Sequence, residues 1–166
     1  MKLILTLFLI SVFTISSYAI PQKQAVSEMF TLDTYSGDTL NLNQLIGYYL
    51  SFHLTGNLSF TVGTSWAITG QYGGYGTATF GPQYSFVLSD RLSMVVTPMI
   101  GVGGHAALPL GNGVLYWAQI GIDYAFTHNH SFLFNYGYMD YIYGDYQVTV
   151  ICAGFKFDYD IFLNRF

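Results

Sequence analysis

From Thr39 to Ser89, and again from Leu92 to Ile122, the chain contains no Asp, Glu, Lys or Arg. Within those stretches apolar residues recur at every second position, which is the period of a strand and not of a helix. A soluble sheet loads its solvent face with charge. Here one face is apolar and the other is small, polar and uncharged, a pattern that suits lipid outside and a packed polar interior. In lipid every backbone N–H and C=O must be paired, so strands of this kind have to close on themselves. The expected fold is all-β: a closed, antiparallel, up-and-down transmembrane β-barrel of about eight strands. A soluble periplasmic barrel of lipocalin type is the competing expectation.

The alternation is cleanest from Leu58 to Ile68, where Leu58, Phe60, Val62, Thr64, Trp66 and Ile68 oppose Ser59, Thr61, Gly63, Ser65 and Ala67. Similar runs cover Tyr48 to Thr55, Thr77 to Leu88, Leu92 to Gly103, Val114 to Tyr124, Phe132 to Met139 and about Tyr146 to Tyr159. Most are about 9 to 13 residues long, enough for a tilted strand to cross a bilayer. Turn signals separate them at Thr55-Gly56-Asn57, Thr69 to Gly76, Ser89-Asp90-Arg91, Pro109 to Gly113, Thr127 to Ser131 and Gly144-Asp145. The longest apolar stretch after the N-terminus, Leu92 to Ala107, is broken by Pro98 and several glycines and makes a poor transmembrane helix.

Composition narrows the function classes. Charged residues are 8% of the chain, against about 25% in ordinary globular domains. Aromatics reach 19%, which excludes a disordered chain. The net charge is −4 with no basic patch, so nucleic acid is not an expected partner. Cys152 is the single cysteine and reads as a packed apolar side chain. Met1-Lys2, the apolar run Leu3 to Ile15, and small residues at Ser17 and Ala19 read as a signal peptide cleaved after Ala19. The expected organisation is therefore residues 1–19 as a cleaved signal peptide and residues 20–166 as one barrel domain, exported to the bacterial outer membrane.

Seven strands are clear, and single-chain bacterial barrels have even numbers with both termini on the periplasmic side. Residues 28–35 supply the expected first strand, with Ser36 to Gln44 as the first outer loop. The alternation there is poor, and a short amphipathic helix over Gln22 to Leu32 is the alternative. The turns at Thr55 to Asn57, Ser89 to Arg91 and Thr127 to Ser131 are expected to face the periplasm, and the other four connections the outside.

The signal peptide, long alternating strands, short turns and an aromatic last segment with Phe155, Phe157, Tyr159, Phe162 and Phe166 resemble the small outer-membrane barrels of OmpA/OmpX and opacity type. The resemblance covers nearly the whole mature chain and rests on pattern. It implies a Gram-negative source, a C-terminal assembly signal, and insertion by the barrel-assembly machinery, with outer-membrane lipids as the other partner.

Tyr48, Trp66, Tyr84, Tyr116, Tyr124, Phe132, Tyr138 and Tyr159 are candidates for interfacial belts. Leu115, Trp117, Met99, Leu133 and Met139 point inward and face a wall of small residues, so the lumen is expected to be plugged by side chains. A narrow pore is an alternative, although few charges are available to line it. The other alternative is a lipid-modifying enzyme using inward His53, His105, Ser51 and Asp123, since a His–acid pair activates a serine nucleophile. No local motif supports it. Thr127-His128-Asn129-His130 reads as a solvated turn and not as a metal tract. No cofactor or metal is expected. The outer loops, of which Gln71 to Gly76 is the most distinctive, offer Tyr and Gly contacts for an unknown extracellular ligand. A structural or surface-interaction role is the expected function.

Overall fold

The computed structural model describes residues 24–37, 40–69, 74–104 and 111–161. The expected signal peptide, the C-terminal residues Phe162 and Phe166, and His105 lie outside the described residues. Eight strands follow one another along the chain: β1 (Gln24–Gly37), β2 (Leu40–Thr55), β3 (Leu58–Thr69), β4 (Gly76–Val87), β5 (Leu92–Gly104), β6 (Val114–Ala125), β7 (His130–Tyr141) and β8 (Gln147–Ile161). Each pairs antiparallel with the next, and β1 pairs with β8, so the sheet closes into a barrel without a free edge.

The register fixes the shape. Stepping from partner to partner around the wall, the path leaves β1 at Val26 and passes Phe52, Phe60, Pro82, Pro98, Ala118, Tyr138 and Thr149. It returns to β1 at Ser36, a shear of 10 residues from 26 to 36. A shear of that size requires strongly tilted strands, roughly 35–45° to the axis. Three short connections (β2–β3, β4–β5 and β6–β7) lie at the rim that also carries the strand ends nearest the two termini, the terminal rim. The other four lie at the far rim.

Residues 28–35 are strand and not helix, within a β1 that runs from Gln24 to Gly37. The expected first outer loop is corrected. Tyr35 pairs with Asn43 and Gly37 with Leu40, so most of Ser36 to Gln44 belongs to a hairpin of two long strands. β2 accordingly begins at Leu40 instead of Tyr48.

The alternation seen in the sequence is the wall's inside–outside alternation. Where their side chains are described, odd-numbered residues of β1 to β7 face the lumen, and even-numbered residues of β8 do the same. The outward set includes Phe80, Ile100, Ile120, Phe134 and Phe155, all large, apolar and exposed. An exposed apolar surface running around the whole molecule has no counterpart in a soluble domain, where such patches stay at a few hundred Å². It is the surface a barrel turns to hydrocarbon. Among the described residues no helix is long and apolar enough to cross a membrane.

Candidate functional site in the lumen

The lumen is built in three levels. Nearest the far rim, Tyr35, Leu45, Leu115, Trp117, Met139, Tyr141, Val148 and Val150 converge from five strands and are almost wholly buried. Their rings meet edge to face: Tyr35 against Tyr75 at 5.9 Å and against Trp117 at 6.2 Å. Tyr75, just ahead of β4, meets Tyr141 hydroxyl to hydroxyl at 2.8 Å. Burial pushes the Tyr75 phenol well above its ordinary value, so it stays protonated and able to donate. This level is a cluster of buried aromatic and aliphatic side chains, in which the Trp117 indole N–H has no hydrogen-bond partner.

The middle level is polar. Ser51 bonds Thr61 at 2.6 Å, and Thr61 donates to Gln83 at 3.1 Å. Asn135 donates to Gln119 at 3.2 Å. Above them sits Asp33, fully buried, accepting one hydrogen bond from the Tyr49 hydroxyl at 3.0 Å while its Oδ1 has no partner. Neither described ion pair involves it. A cavity of about 20 Å³ remains at this level among Met29, Tyr49, Gln83, Gln119 and Asn135, room for about one water.

The third level, at the terminal rim, collects the inward charges other than Asp33. The Lys156 ammonium pairs with the Asp123 carboxylate and lies 3.7 Å from that of Asp158. The Ser27 hydroxyl donates to Asp158 Oδ1 and accepts from His53 Nε2 at 2.7 Å. The other ring nitrogen, Nδ1, is 3.1 Å from the Ser59 hydroxyl. The chain of contacts runs Ser59, His53, Ser27, Asp158. With Ser27 donating to the carboxylate, the imidazole carries its proton on Nε2 and accepts at Nδ1.

Of the four inward candidates named from sequence, His105 lies outside the described residues and the other three part company here. His53 and Asp123 occupy the same level, but Lys156 and Asp158 stand between them and no direct contact joins the two. Ser51 belongs to the middle ladder and not to the histidine. Ser27, Ser59, Lys156 and Asp158 complete the cluster without having been singled out as candidates. Parity was the available signal: Lys156 and Asp158 alternate with outward Phe155, Phe157 and Tyr159. His130 closes its own turn, with Nδ1 2.8 Å from the Thr127 hydroxyl. Among the described residues no group of three or more His, Cys, Asp or Glu gathers with a metal-binding arrangement.

A nucleophilic triad needs an acid on the far side of the imidazole from the serine. In this cluster the hydroxyl of Ser27 lies between the imidazole and the acid. Ser27 and Ser59 are 0% and 3% exposed, so neither hydroxyl is presented to a substrate. The arrangement links charge and hydroxyls across β8, β1, β2, β3 and β6, and leaves Asp123 Oδ1 buried without a hydrogen-bond partner.

No protein-family model matches the chain, and no curated protein matches it by sequence. The fold does have relatives. A de novo designed transmembrane β-barrel is similar with a TM-score of 0.63 at 12% identity, over 85% of this chain and 100% of that one. The N-terminal β-barrel domain of Pseudomonas aeruginosa OprF has a TM-score of 0.65 at 13% identity, over 81% and 97%.

The fold is that of the small eight-stranded outer-membrane β-barrels.

The outer-membrane enzyme PagL shares it too, with a TM-score of 0.52 at 15% identity over 81% of this chain and 99% of that one. A designed barrel and an enzyme therefore share the wall, and the function has to be argued from this chain's own residues.

On the outside, seven of the eight interfacial candidates fall toward one rim or the other. Tyr84, Tyr124, Phe132 and Tyr159 lie toward the terminal rim, and Trp66, Tyr116 and Tyr138 toward the far rim, all exposed. Tyr48 is the exception. It sits mid-strand in β2, and its hydroxyl donates to the outward carboxylate of Glu28 at 3.3 Å.

Proposed function

We propose that the protein is an integral barrel of the bacterial outer membrane, with a closed lumen and a structural or surface-interaction role. The observation that carries the reading is the aromatic and aliphatic plug of Tyr35, Leu45, Tyr75, Leu115, Trp117, Met139 and Tyr141, buried from β1 round to β7. A lumen filled by side chains leaves a rigid, lipid-embedded cylinder whose working surfaces are its rims and its outer wall. Export through a signal peptide and insertion by the barrel-assembly machinery belong to the same reading. So does an orientation with the terminal rim toward the periplasm.

The test is single-channel recording after insertion of the folded barrel into planar bilayers. The reading expects no conductance steps from the native protein. It expects steps from a variant in which Trp117→Ala and Tyr75→Ala empty the plug. Steps from the native protein would favour the narrow-pore alternative and overturn the reading.

The second reading, a lipid-modifying enzyme, draws on the contact between the Ser59 hydroxyl and His53 Nδ1, and on the shared fold of PagL. Lipid profiles of membranes carrying His53→Ala, Asp123→Asn or Ser59→Ala decide it. Profiles that do not change among the three and the native protein remove the enzyme.

A further inference from the structure

A groove of about 680 Å³ crosses the outside of the barrel. It runs from Leu50 on β2 to Val114 on β6. That is four inter-strand spacings, about 19 Å at ~4.8 Å each, the order of length of an extended acyl chain. Its floor is low because the outward residues there are small, Val62, Thr64 and Ala78, while the rings of Phe60 and Phe80 rise beside it with centroids 6.2 Å apart. The lining is almost wholly apolar. On a wall that faces hydrocarbon, such a trough is filled by hydrocarbon.

One end of the groove is polar. Leu50 is the register partner of Glu28, and Tyr48, which lines the groove, donates to the Glu28 carboxylate at 3.3 Å. Glu28 lies four positions into β1, toward the terminal rim. Among the described residues it pairs with no cation. Lys156 is turned inward to Asp123 and Asp158, and Arg91 sits in the β4–β5 turn. The one other outward carboxylate among the described residues, Asp140, is near the far rim, where Tyr116 donates to it at 2.8 Å. A carboxylate at the edge of an apolar belt is costly unless a cation joins it. Among the described residues no cation faces it, and an ammonium headgroup of the surrounding lipid can supply one.

We propose that this groove is a binding site for one phospholipid. An acyl chain lies over Val62 and Ala78, and a primary ammonium headgroup pairs with Glu28, held in place by Tyr48. The site rests on the reading of this wall as lipid-facing, and it adds a specific ligand to that reading.

The experiment is native mass spectrometry of the full mature barrel released from detergent with phosphatidylethanolamine or phosphatidylglycerol added. The native protein is expected to retain one phosphatidylethanolamine about tenfold better than phosphatidylglycerol, a ratio within reach of one charge-assisted contact. Glu28→Gln is expected to erase that preference while leaving lipid retention in place. Val62→Phe with Ala78→Phe, which fills the trough, is expected to lose both lipids while the chain still migrates as a folded barrel on an unheated gel. Equal retention of the two lipids by the native protein would overturn the headgroup assignment. Undiminished retention by the filled variant would overturn the groove, as would a two-chain species that disappears on filling, which would assign the trough to a second copy. A native chain that stays soluble without detergent would instead strike at the lipid-facing reading itself.

Discussion

Tyr49 and Gly63 face each other across β2 and β3, with the tyrosine ring lying over the glycine where a side chain would otherwise stand. A Cβ built on Gly63 would overlap the ring. The pairing lets Tyr49 lie flat across the lumen wall, stacked edge to face on Trp117 at 6.2 Å, with its hydroxyl on Asp33. An aromatic covering a strand glycine is a recurring device for stabilising curved sheets.

Gly63→Ala should therefore cost about 1–3 kcal/mol, because the ring has to leave its seat. In a chain that already carries Tyr49→Ala, the same change should cost much less. A double-mutant cycle from urea unfolding in detergent measures the difference. Additive costs would mean that the ring and the glycine are independent.

Asp33 gives a prediction of opposite sign. Its carboxyl group is fully buried with a single described donor, Tyr49. Asp33→Asn keeps an acceptor for that hydroxyl and removes the charge that burial penalises. The variant should fold and unfold at higher urea than the native chain near neutral pH. A variant weaker by more than about 1 kcal/mol would show that the carboxylate is held by more than the Tyr49 hydroxyl.

At the terminal rim, Lys156 holds Asp123 and Asp158 in one cluster. Lys156→Met leaves two carboxylates together without their cation. The expected loss is about 1.5–3 kcal/mol, larger than for Asp158→Asn, which leaves the pair with Asp123 in place. Equal losses in the two variants would show that the cluster is held by its hydroxyls instead.

The outer wall is tested by charge. Ile120→Arg places a guanidinium on the outward face mid-strand and should cost about 2–4 kcal/mol in vesicles, while Tyr124→Arg, near the terminal rim, should cost about 0–1 kcal/mol. The same small cost at both positions would mean that this face meets water.

Much of this architecture can be read in the sequence because lipid on one side and a packed lumen on the other impose a strict period of two. Phe60, Val62 and Trp66 announce β3 without help. The start of β2 is hidden for a physical reason. In the far third of the barrel the pattern inverts, with apolar Leu45 and Tyr35 turned inward to build the plug and polar Thr34, Ser36 and Gln44 turned outward. A reader expecting apolar residues outside sees a loop there. The candidate site was half legible. Parity puts His53 and Asp123 in the lumen, but which hydroxyl meets the imidazole depends on the 10-residue shear, which brings Ser27 on β1 against Asp158 on β8. No local spacing encodes that closure.

The central claim is a closed barrel whose outer wall faces lipid. The most direct measurement is electrophoresis of the mature chain folded in detergent, loaded unheated and boiled, with circular dichroism on the same sample. The account predicts two distinct mobilities, with a β-rich spectrum that collapses only in the boiled sample, because eight strands closed by the β1–β8 pairing have no edge at which SDS can start. A single mobility, from a chain that stays in solution without detergent, would contradict it.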